Sequence, residues 1–234
     1  MPSVLGFLPS TNGLRFVNAW PDEPVVVVSV PGFGAVKIGN ASNGLCGGMV
    51  FLVRDVFEAR LPPIRDAQPA QGTPLYDYIV QRLIASYHLP SGVLQYFGWM
   101  NTPDADGGFW FLRRRGLAWK TVGEQWPSIQ ADIDAGHPSP LGIVTVRSAN
   151  PADLGRNHQV LAYGYELDAA QNLVVRVYDP NTDSANGDGV LLALNVKDPA
   201  RPTPITHNVA IADPIRGFFR IPYSFRDPSA LTAH

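Results

Sequence analysis

Residues 43–59 read NGLCGGMVFLVRDVFEA, a stretch that begins with small residues and continues as an unbroken apolar segment. From Gly47 to Ala59 it contains no proline, and apolar side chains would fall on nearly every side of a helix formed here. This pattern predicts a helix in the core, closed by Pro62. Cys46 stands at the predicted helix start, where free backbone N–H groups and the positive end of the helix dipole stabilise a thiolate.

The residues around Cys46 are small. Gly44, Gly47 and Gly48 leave little side-chain bulk beside the sulfur, which predicts an open crevice where the backbone of a ligand can approach it. The alternative is a structural thiol that behaves as a small buried hydrophobe. Since the chain holds one cysteine, an intrachain disulfide and a multi-cysteine zinc site are both excluded.

Helical patterns lie before residue 138 and strand patterns after it. Thr73 and Pro74 predict the start of one helix, a second is expected after Ser91, and a third should run from Pro127 to Ala135. Six strand-like segments follow, at 141–146, 158–166, 173–179, 190–196, 205–211 and 217–221. This order predicts an α+β fold in which the helix led by Cys46 packs on a mostly antiparallel sheet.

We expect a single domain over residues 1–234. It would consist of an N-terminal arm (1–24), a mostly helical lobe (25–137) and a mostly β lobe (138–234), because no linker is long or polar enough to force two independent domains.

Two polar residues stand at one end of two neighbouring predicted strands. His158 opens the strand HQVLAYGYE, and Asp179 follows the next strand, with a hairpin loop centred near residues 169 and 170 between them. If the numbers of opposed residues sum to about 339, His158 lies opposite Asn181 and Asp179 is its diagonal neighbour on the same face. If they sum to about 337, Asp179 is its direct partner. An even sum would place His158 and Asp179 on opposite faces of the sheet.

The chemistry of these residue types is complementary. A carboxylate beside an imidazole fixes its tautomer, and an imidazolium beside a thiol favours the thiolate. Taken singly, His158 is more often a strand-end histidine bound to backbone, and Asp179 more often the first residue of a tight turn. Together with Cys46 they predict a thiol-dependent catalytic site, with Asn181 as the alternative orienting residue.

Composition excludes several classes of function. With 18 Lys and Arg against 20 Asp and Glu, the net charge is −2, so no basic field would attract nucleic acid or an anionic membrane. No apolar stretch is long enough for a signal peptide or a membrane span, which predicts a cytoplasmic protein. The remaining histidines show no ligand spacing, so we expect neither a metal nor a cofactor.

The order Cys46, His158, Asp179 and the sequences around it resemble the papain-like cysteine peptidase superfamily, in particular its bacterial double-glycine-leader peptidase branch. The likeness covers about residues 38–182 and includes the motifs NGLCGGM, IQADIDAGHPSPLGIVTV, NHQVLAYGYE and VYDPN. The resemblance implies a papain-like fold, a peptide or protein substrate, Cys46 as nucleophile, His158 as general base and Asp179 as orienting residue.

The chain departs from this family at one position. The family usually has a glutamine six residues before the cysteine, whose side-chain amide helps to hold the oxyanion, whereas this chain has Asn40 there and Asn43 nearer. The backbone N–H of Cys46 would be the other donor, and loss of one such donor costs on the order of 10²–10³ in rate.

Three functions therefore stay open on the sequence alone. The first is hydrolysis of a peptide or amide bond by Cys46, His158 and Asp179. The second is a catalytically silent papain-like module that binds a peptide or protein in the same cleft. The third is a transglutaminase-like acyl transferase that uses the same three residues. No oligomeric state follows from the sequence.

Overall fold

A computed structural model describes residues 2–20, 26–30, 34–38, 44–108 and 114–231. The helices are α1 (Pro9–Asn12), α2 (Cys46–Glu58), α3 (Pro74–Ser86), α4 (Ser91–Met100), α5 (Leu117–Trp119) and α6 (Trp126–Asp134). A π-helical segment, Lys120–Gln125, joins α5 to α6. The strands are β1 (Val26–Val30), β2 (Gly34–Ile38), β3 (Ser139–Val144), β4 (His158–Leu167), β5 (Asn172–Tyr178), β6 (Leu191–Asn195), β7 (Thr206–His207) and β8 (Gly217–Arg220).

Six of the strands form one antiparallel sheet in the order β7-β6-β5-β4-β3-β8, while β1 and β2 pair with each other in a separate hairpin. Every residue of β3 is buried, as are the first eight of β4, so these strands lie at the centre of the core. Helix α2 packs on β4 and on α3. The predicted α+β fold, with the cysteine-bearing helix on an antiparallel sheet, is confirmed.

Local signals set the helix boundaries where the sequence predicts them. The hydroxyl of Thr73 accepts a hydrogen bond from the backbone N–H of Tyr76 and caps α3. Helix α4 begins at Ser91. Helix α6 ends before Gly136, whose φ of +84° is a left-handed conformation that glycine adopts without strain.

The glycines after Cys46 serve helix packing, and the prediction that they clear space for a ligand is wrong. A Cβ atom at Gly48 would overlap the backbone carbonyl of Ile79 in α3. One at Gly47 would overlap the side chains of Ser86 and Gln159. Both glycines therefore allow α2 to lie close against α3 and the sheet, in a densely packed interior.

The described part of the N-terminal arm packs on the sheet and contains the short helix α1. The N–H of Val4 donates to the carbonyl of Tyr163 at 2.8 Å, and the N–H of Tyr165 donates to the carbonyl of Pro2 at 3.0 Å. The arm buries several apolar side chains, namely Val4, Phe7, Leu14, Phe16 and Trp20. The arm is thus part of the core, and its residue Asn18 contacts Leu45 at the start of α2.

The sheet differs from the sequence prediction at two strands. Strand β3 begins at Ser139, two residues earlier than predicted, and β7 covers only Thr206 and His207 of the predicted segment 205–211. The chain leaves the sheet after His207 because the next residues bind the loop that carries Asp179, where the N–H of Ala210 donates to that carboxylate.

Candidate active site

A β-bulge brings His158 and Asp179 to the same face of the sheet. Beside the hairpin loop, the residue numbers of each opposed pair in β4 and β5 sum to 340, as for Leu167 opposite Leu173. Beyond the irregularity between Ala162 and Gly164, the sum is 339, as in Leu161 opposite Tyr178. If the even sum continued to the strand ends, His158 and Asp179 would lie on opposite faces of the sheet. The bulge makes the sum odd and so brings them to the same face.

His158 and Asp179 are in direct contact. The Nε2 atom of His158 lies 2.7 Å from Oδ1 of Asp179, and both side chains are buried. A protonated Nε2 donates to this carboxylate, which fixes the orientation of the ring and leaves Nδ1 as the nitrogen that can face a thiol. The predicted pairing of the two residues is therefore confirmed as a contact.

The carboxylate of Asp179 is held by four donors. Besides His158, Oδ1 accepts from the backbone N–H of Asn181 at 3.0 Å, while Oδ2 accepts from the hydroxyl of Thr182 and the N–H of Ala210, each at 2.8 Å. Burial alone would raise the pKa of Asp179, but the hydrogen bond and charge of His158, with these backbone N–H groups, hold it below its usual range. Asp179 is thus a rigid, ionised partner for the ring.

Cys46 lies at the first position of α2, within interaction range of the His158 ring. Burial alone would lower the pKa of His158, but the charge of Cys46 and the hydrogen bonds with Asp179 and Cys46 raise it to about 10. The ring consequently carries its proton at neutral pH, with Asp179 and Cys46 as its neighbours. The three predicted residues Cys46, His158 and Asp179 are brought together in one chain of contacts.

The thiol is more enclosed than the sequence suggests. Cys46 is 3% exposed and His158 is 5% exposed, so the prediction of an open crevice at the sulfur is wrong. The rings of Tyr87 and Tyr96 are neighbours of Cys46. Burial raises the pKa of both hydroxyls; the next cause is Cys46 for Tyr87, and Tyr87 followed by Cys46 for Tyr96. The sulfur therefore faces aromatic core on one side and His158 on another.

A polar cavity of about 490 Å³ reaches this group from the His158 side. Its walls come from the arm, the 3₁₀ turn before β4, the loop after Asp179 and the segment that leaves β7; they include Asn18, Arg156, Asn157, Asn181 and Ile211. Arg156 and Asp213 in these walls form an ion pair, with 2.9 Å between Nη2 of the arginine and Oδ2 of the aspartate. The cavity is the space in which a ligand can meet the imidazole.

Asn181 does not orient the imidazole. Its amide oxygen accepts from the Nδ2 group of Asn18 at 3.0 Å, and its own Nδ2 donates to the carbonyl of Ala210 at 3.1 Å. Asp179, not Asn181, therefore carries the contact with His158. The two oxyanion candidates predicted from the sequence, Asn40 and Asn43, lie outside the described residues.

Sequence reasoning missed Asn18. Its backbone N–H donates to the carbonyl of Pro180 and its side chain contacts Leu45 and Asn181, so it joins the start of α2 to the loop of Asp179. It is 27 residues from Leu45 and 163 from Asn181 along the chain, and it lies in a segment without helical or strand periodicity. No local pattern links it to the site.

Among the residues that the structure describes, no group of three or more His, Cys, Asp or Glu side chains is arranged to hold a metal ion. Within the same residues, no helix combines the length and the apolar character required to cross a bilayer. Comparisons of the chain with protein-family models, curated proteins and solved structures found no match.

Proposed function

We propose that this protein is a cysteine-dependent hydrolase of papain-like type that cleaves a peptide or amide bond. One observation carries the proposal: a buried histidine, bound through Nε2 to an ionised aspartate at 2.7 Å, is also electrostatically coupled to the only cysteine of the chain, at the start of α2. A thiol, a base in contact with it and a third group that orients the base are the components of nucleophilic acyl transfer. The same layout supports the papain-like fold as the proposed class of this α+β architecture.

In the proposed reaction, the sulfur of Cys46 attacks the carbonyl carbon of the substrate, and the carbonyl π pair moves onto oxygen. When the tetrahedral species collapses, the C=O bond forms again, the C–N bond breaks and His158 gives its proton to the leaving amine. A water molecule, deprotonated by His158, then attacks the thioester carbonyl. The C–S bond breaks, the acid leaves, and Cys46 and the protonated His158 are regenerated. Asp179 stabilises the imidazolium at each stage without taking its proton.

The cavity supports a peptide or protein as substrate. Its walls contain the side-chain amides of Asn18, Asn157 and Asn181, together with the Arg156–Asp213 ion pair. Such groups pair with the N–H and C=O groups of an extended peptide. No cofactor enters the proposed reaction, because proton transfer and nucleophilic attack are supplied by side chains of this chain.

A second function, peptide binding without catalysis, is favoured by the enclosure of the sulfur. A thiol that is 3% exposed meets a substrate only if the groups that cover it yield. In this case the cavity beside His158 would bind a peptide and Cys46 would remain unreactive. The two proposals differ in the reactivity of the thiol, which can be measured directly.

The test is the rate at which iodoacetamide alkylates Cys46 at pH 7, followed by intact mass. Because the chain has a single cysteine, every mass increase reports this residue. We expect alkylation faster than that of a free thiol such as glutathione, and at least about tenfold slower alkylation in a His158→Gln variant, which cannot hold the positive charge.

His137→Gln is the matched control, since His137 is half exposed and pairs with Glu58 away from the site. It should react like the unaltered protein. Alkylation no faster than glutathione, or equal rates in the His158 and His137 variants, would reject the hydrolase and leave the binding module. Turnover that requires an added amine would instead indicate acyl transfer.

A further inference from the structure

The proposed attack on a carbonyl creates a negative oxygen that needs two hydrogen-bond donors. The backbone N–H of Cys46 is one of them, because Cys46 is the first residue of α2 and the first N–H groups of a helix have no acceptor within it. The second donor must lie beside the start of α2 and face the cavity of His158. Asn18 meets both requirements.

The side chain of Asn18 is fixed from two sides. Its Oδ1 accepts the backbone N–H of Leu45, the residue before Cys46, at 2.7 Å. Its Nδ2 donates to Oδ1 of Asn181 at 3.0 Å, and its backbone N–H donates to the carbonyl of Pro180 at 2.9 Å. The amide is thus held in one orientation, with its oxygen toward the helix and its NH₂ group toward the loop of Asp179.

The approach of this amide explains a glycine near the nucleophile. Gly44 has a φ of +47°, and a Cβ atom added there would overlap the side-chain amide of Asn18. Any larger residue at position 44 would displace Asn18 from the helix start. The glycine two residues before Cys46 therefore makes room for a side chain of the protein.

The NH₂ group of Asn18 has two hydrogens, and Asn181 takes one. Among the described contacts, the second hydrogen has no acceptor in the chain, and Asn18 and His158 both line the 490 Å³ cavity. We infer that Asn18 is a catalytic residue of the proposed hydrolase, whose amide donates the second hydrogen bond to the oxygen of the tetrahedral intermediate. This inference rests on the proposed function and assigns a role that the sequence placed at Asn40 or Asn43.

The step affected is the addition of sulfur to the carbonyl. As the C–S bond forms, the π pair of C=O moves to oxygen, where Cys46 N–H and Asn18 Nδ2–H stabilise it. Alkylation by iodoacetamide differs in this respect, since sulfur displaces iodide from a saturated carbon and no oxyanion forms. The ratio of acylation to alkylation therefore separates donation to the oxyanion from general support of the thiol.

The experiment measures both reactions of Cys46 in the full chain. Acylation is followed by the burst of nitrophenolate from p-nitrophenyl acetate, and alkylation by intact mass with iodoacetamide. In Asn18→Ala we expect acylation to fall by on the order of 10²–10³, with alkylation changed less than about threefold. Asn18→Asp, which keeps the acceptor for Leu45 N–H but loses the donor, should show the same fall in the ratio if the Ala variant does not fold.

The matched control is Asn12→Ala, a partly exposed asparagine of the same arm whose side chain, among the described contacts, hydrogen-bonds only to Leu8 and Thr11. It should leave both rates unchanged. Equal acylation in Asn18→Ala and the unaltered protein would overturn the inference, as would a parallel loss of acylation and alkylation, which would make Asn18 a support of the thiol alone. An unaltered protein without any burst that depends on Cys46 would instead reject the proposed function itself, and the inference with it.

Discussion

At the scale of single residues, the charge of His158 controls the site. The imidazole is enclosed between a carboxylate and a thiol, and these two groups outweigh the burial that opposes its positive charge. Asp179 in turn keeps its own charge because four hydrogen bonds from this chain satisfy its oxygens. Full protonation of this ring at neutral pH is therefore a consequence of the folded structure, since an unperturbed histidine with a pKa near 6.5 is mostly neutral at pH 7.

The protonation of His158 can be followed by NMR of ¹⁵N-labelled histidine rings. Its pKa is raised to about 10, so the ring should stay protonated through neutral pH and lose its proton near pH 10. Asp179→Asn and Cys46→Ala each remove a negative neighbour, so each should move the midpoint down. Comparison with the His158→Gln spectrum assigns the signal.

A midpoint at or below pH 6.5 in the unaltered protein would contradict this account of the ring. A midpoint that neither substitution changes would also contradict it, because Asp179 and Cys46 would then not be the cause of the raised pKa.

At the scale of elements, the close contact of α2 with α3 sets the position of Cys46. Gly48 lies against the backbone carbonyl of Ile79, which cannot move without distorting α3. Gly98 of α4 offers a comparison, since it is helical and exposed, and a Cβ atom added there meets nothing within 4 Å.

Gly48→Ala should lower the free energy of unfolding by about 1–3 kcal/mol or more, because the added methyl group overpacks the α2–α3 contact. Gly98→Ala should raise it by about 0.5–1 kcal/mol, since alanine loses less backbone entropy in a helix. Urea unfolding of both variants measures the difference. Equal effects would show that α2 does not depend on this contact.

The sequence is informative about elements and less so about how they meet. The pattern of α2, the cap at Thr73 and the strand runs around His158 predict their elements because each signal is local. The register of β4 and β5 is not local, because a bulge between Ala162 and Gly164 changes its parity. Gly164 is typical of a bulge, but a glycine within a strand does not by itself give the register. The packing role of Gly47 and Gly48 is not visible in the sequence, because the neighbours that exclude a Cβ lie on α3 and β4.

At the scale of the whole molecule, a buried ion pair between α2 and α3 connects the C-terminal segment to the helices. Asp55 is fully buried, and its Oδ2 lies 2.6 Å from Nε of Arg82. Its Oδ1 accepts from the hydroxyl of Tyr223 at 2.6 Å and from the N–H of Arg226 at 3.1 Å. The helix that begins at Cys46 is thereby connected to residues far along the chain.

Asp55→Asn should lower the free energy of unfolding by about 3–5 kcal/mol, because it leaves the buried charge of Arg82 unpaired. Asp198→Asn is the matched control, since Asp198 pairs with Arg201 on the surface and such pairs contribute about 1 kcal/mol or less. Urea unfolding of the two variants gives the comparison. A loss below about 1 kcal/mol in Asp55→Asn would show that the C-terminal segment is held by other contacts.

Long-range assembly also explains which part of the site the sequence could not supply. Cys46, His158 and Asp179 are predictable because each stands at the end of an element with a clear pattern. Asn18 is not, since it reaches the site only after the arm has packed on β4 and passed the loop of Asp179. The cavity depends equally on the segment that leaves the sheet after His207, which the sequence extends as a strand.

The most direct measurement of the central proposal is a time course of intact mass after the protein is mixed with p-nitrophenyl acetate. We predict one acetyl group on Cys46 that appears within the burst and then decays as water hydrolyses the thioester. The adduct should be absent in Cys46→Ala and strongly slowed in His158→Gln. An unaltered protein that acquires no acetyl group on Cys46, or acquires it at the same rate without His158, would contradict the proposal that this thiol is a nucleophile activated by its histidine.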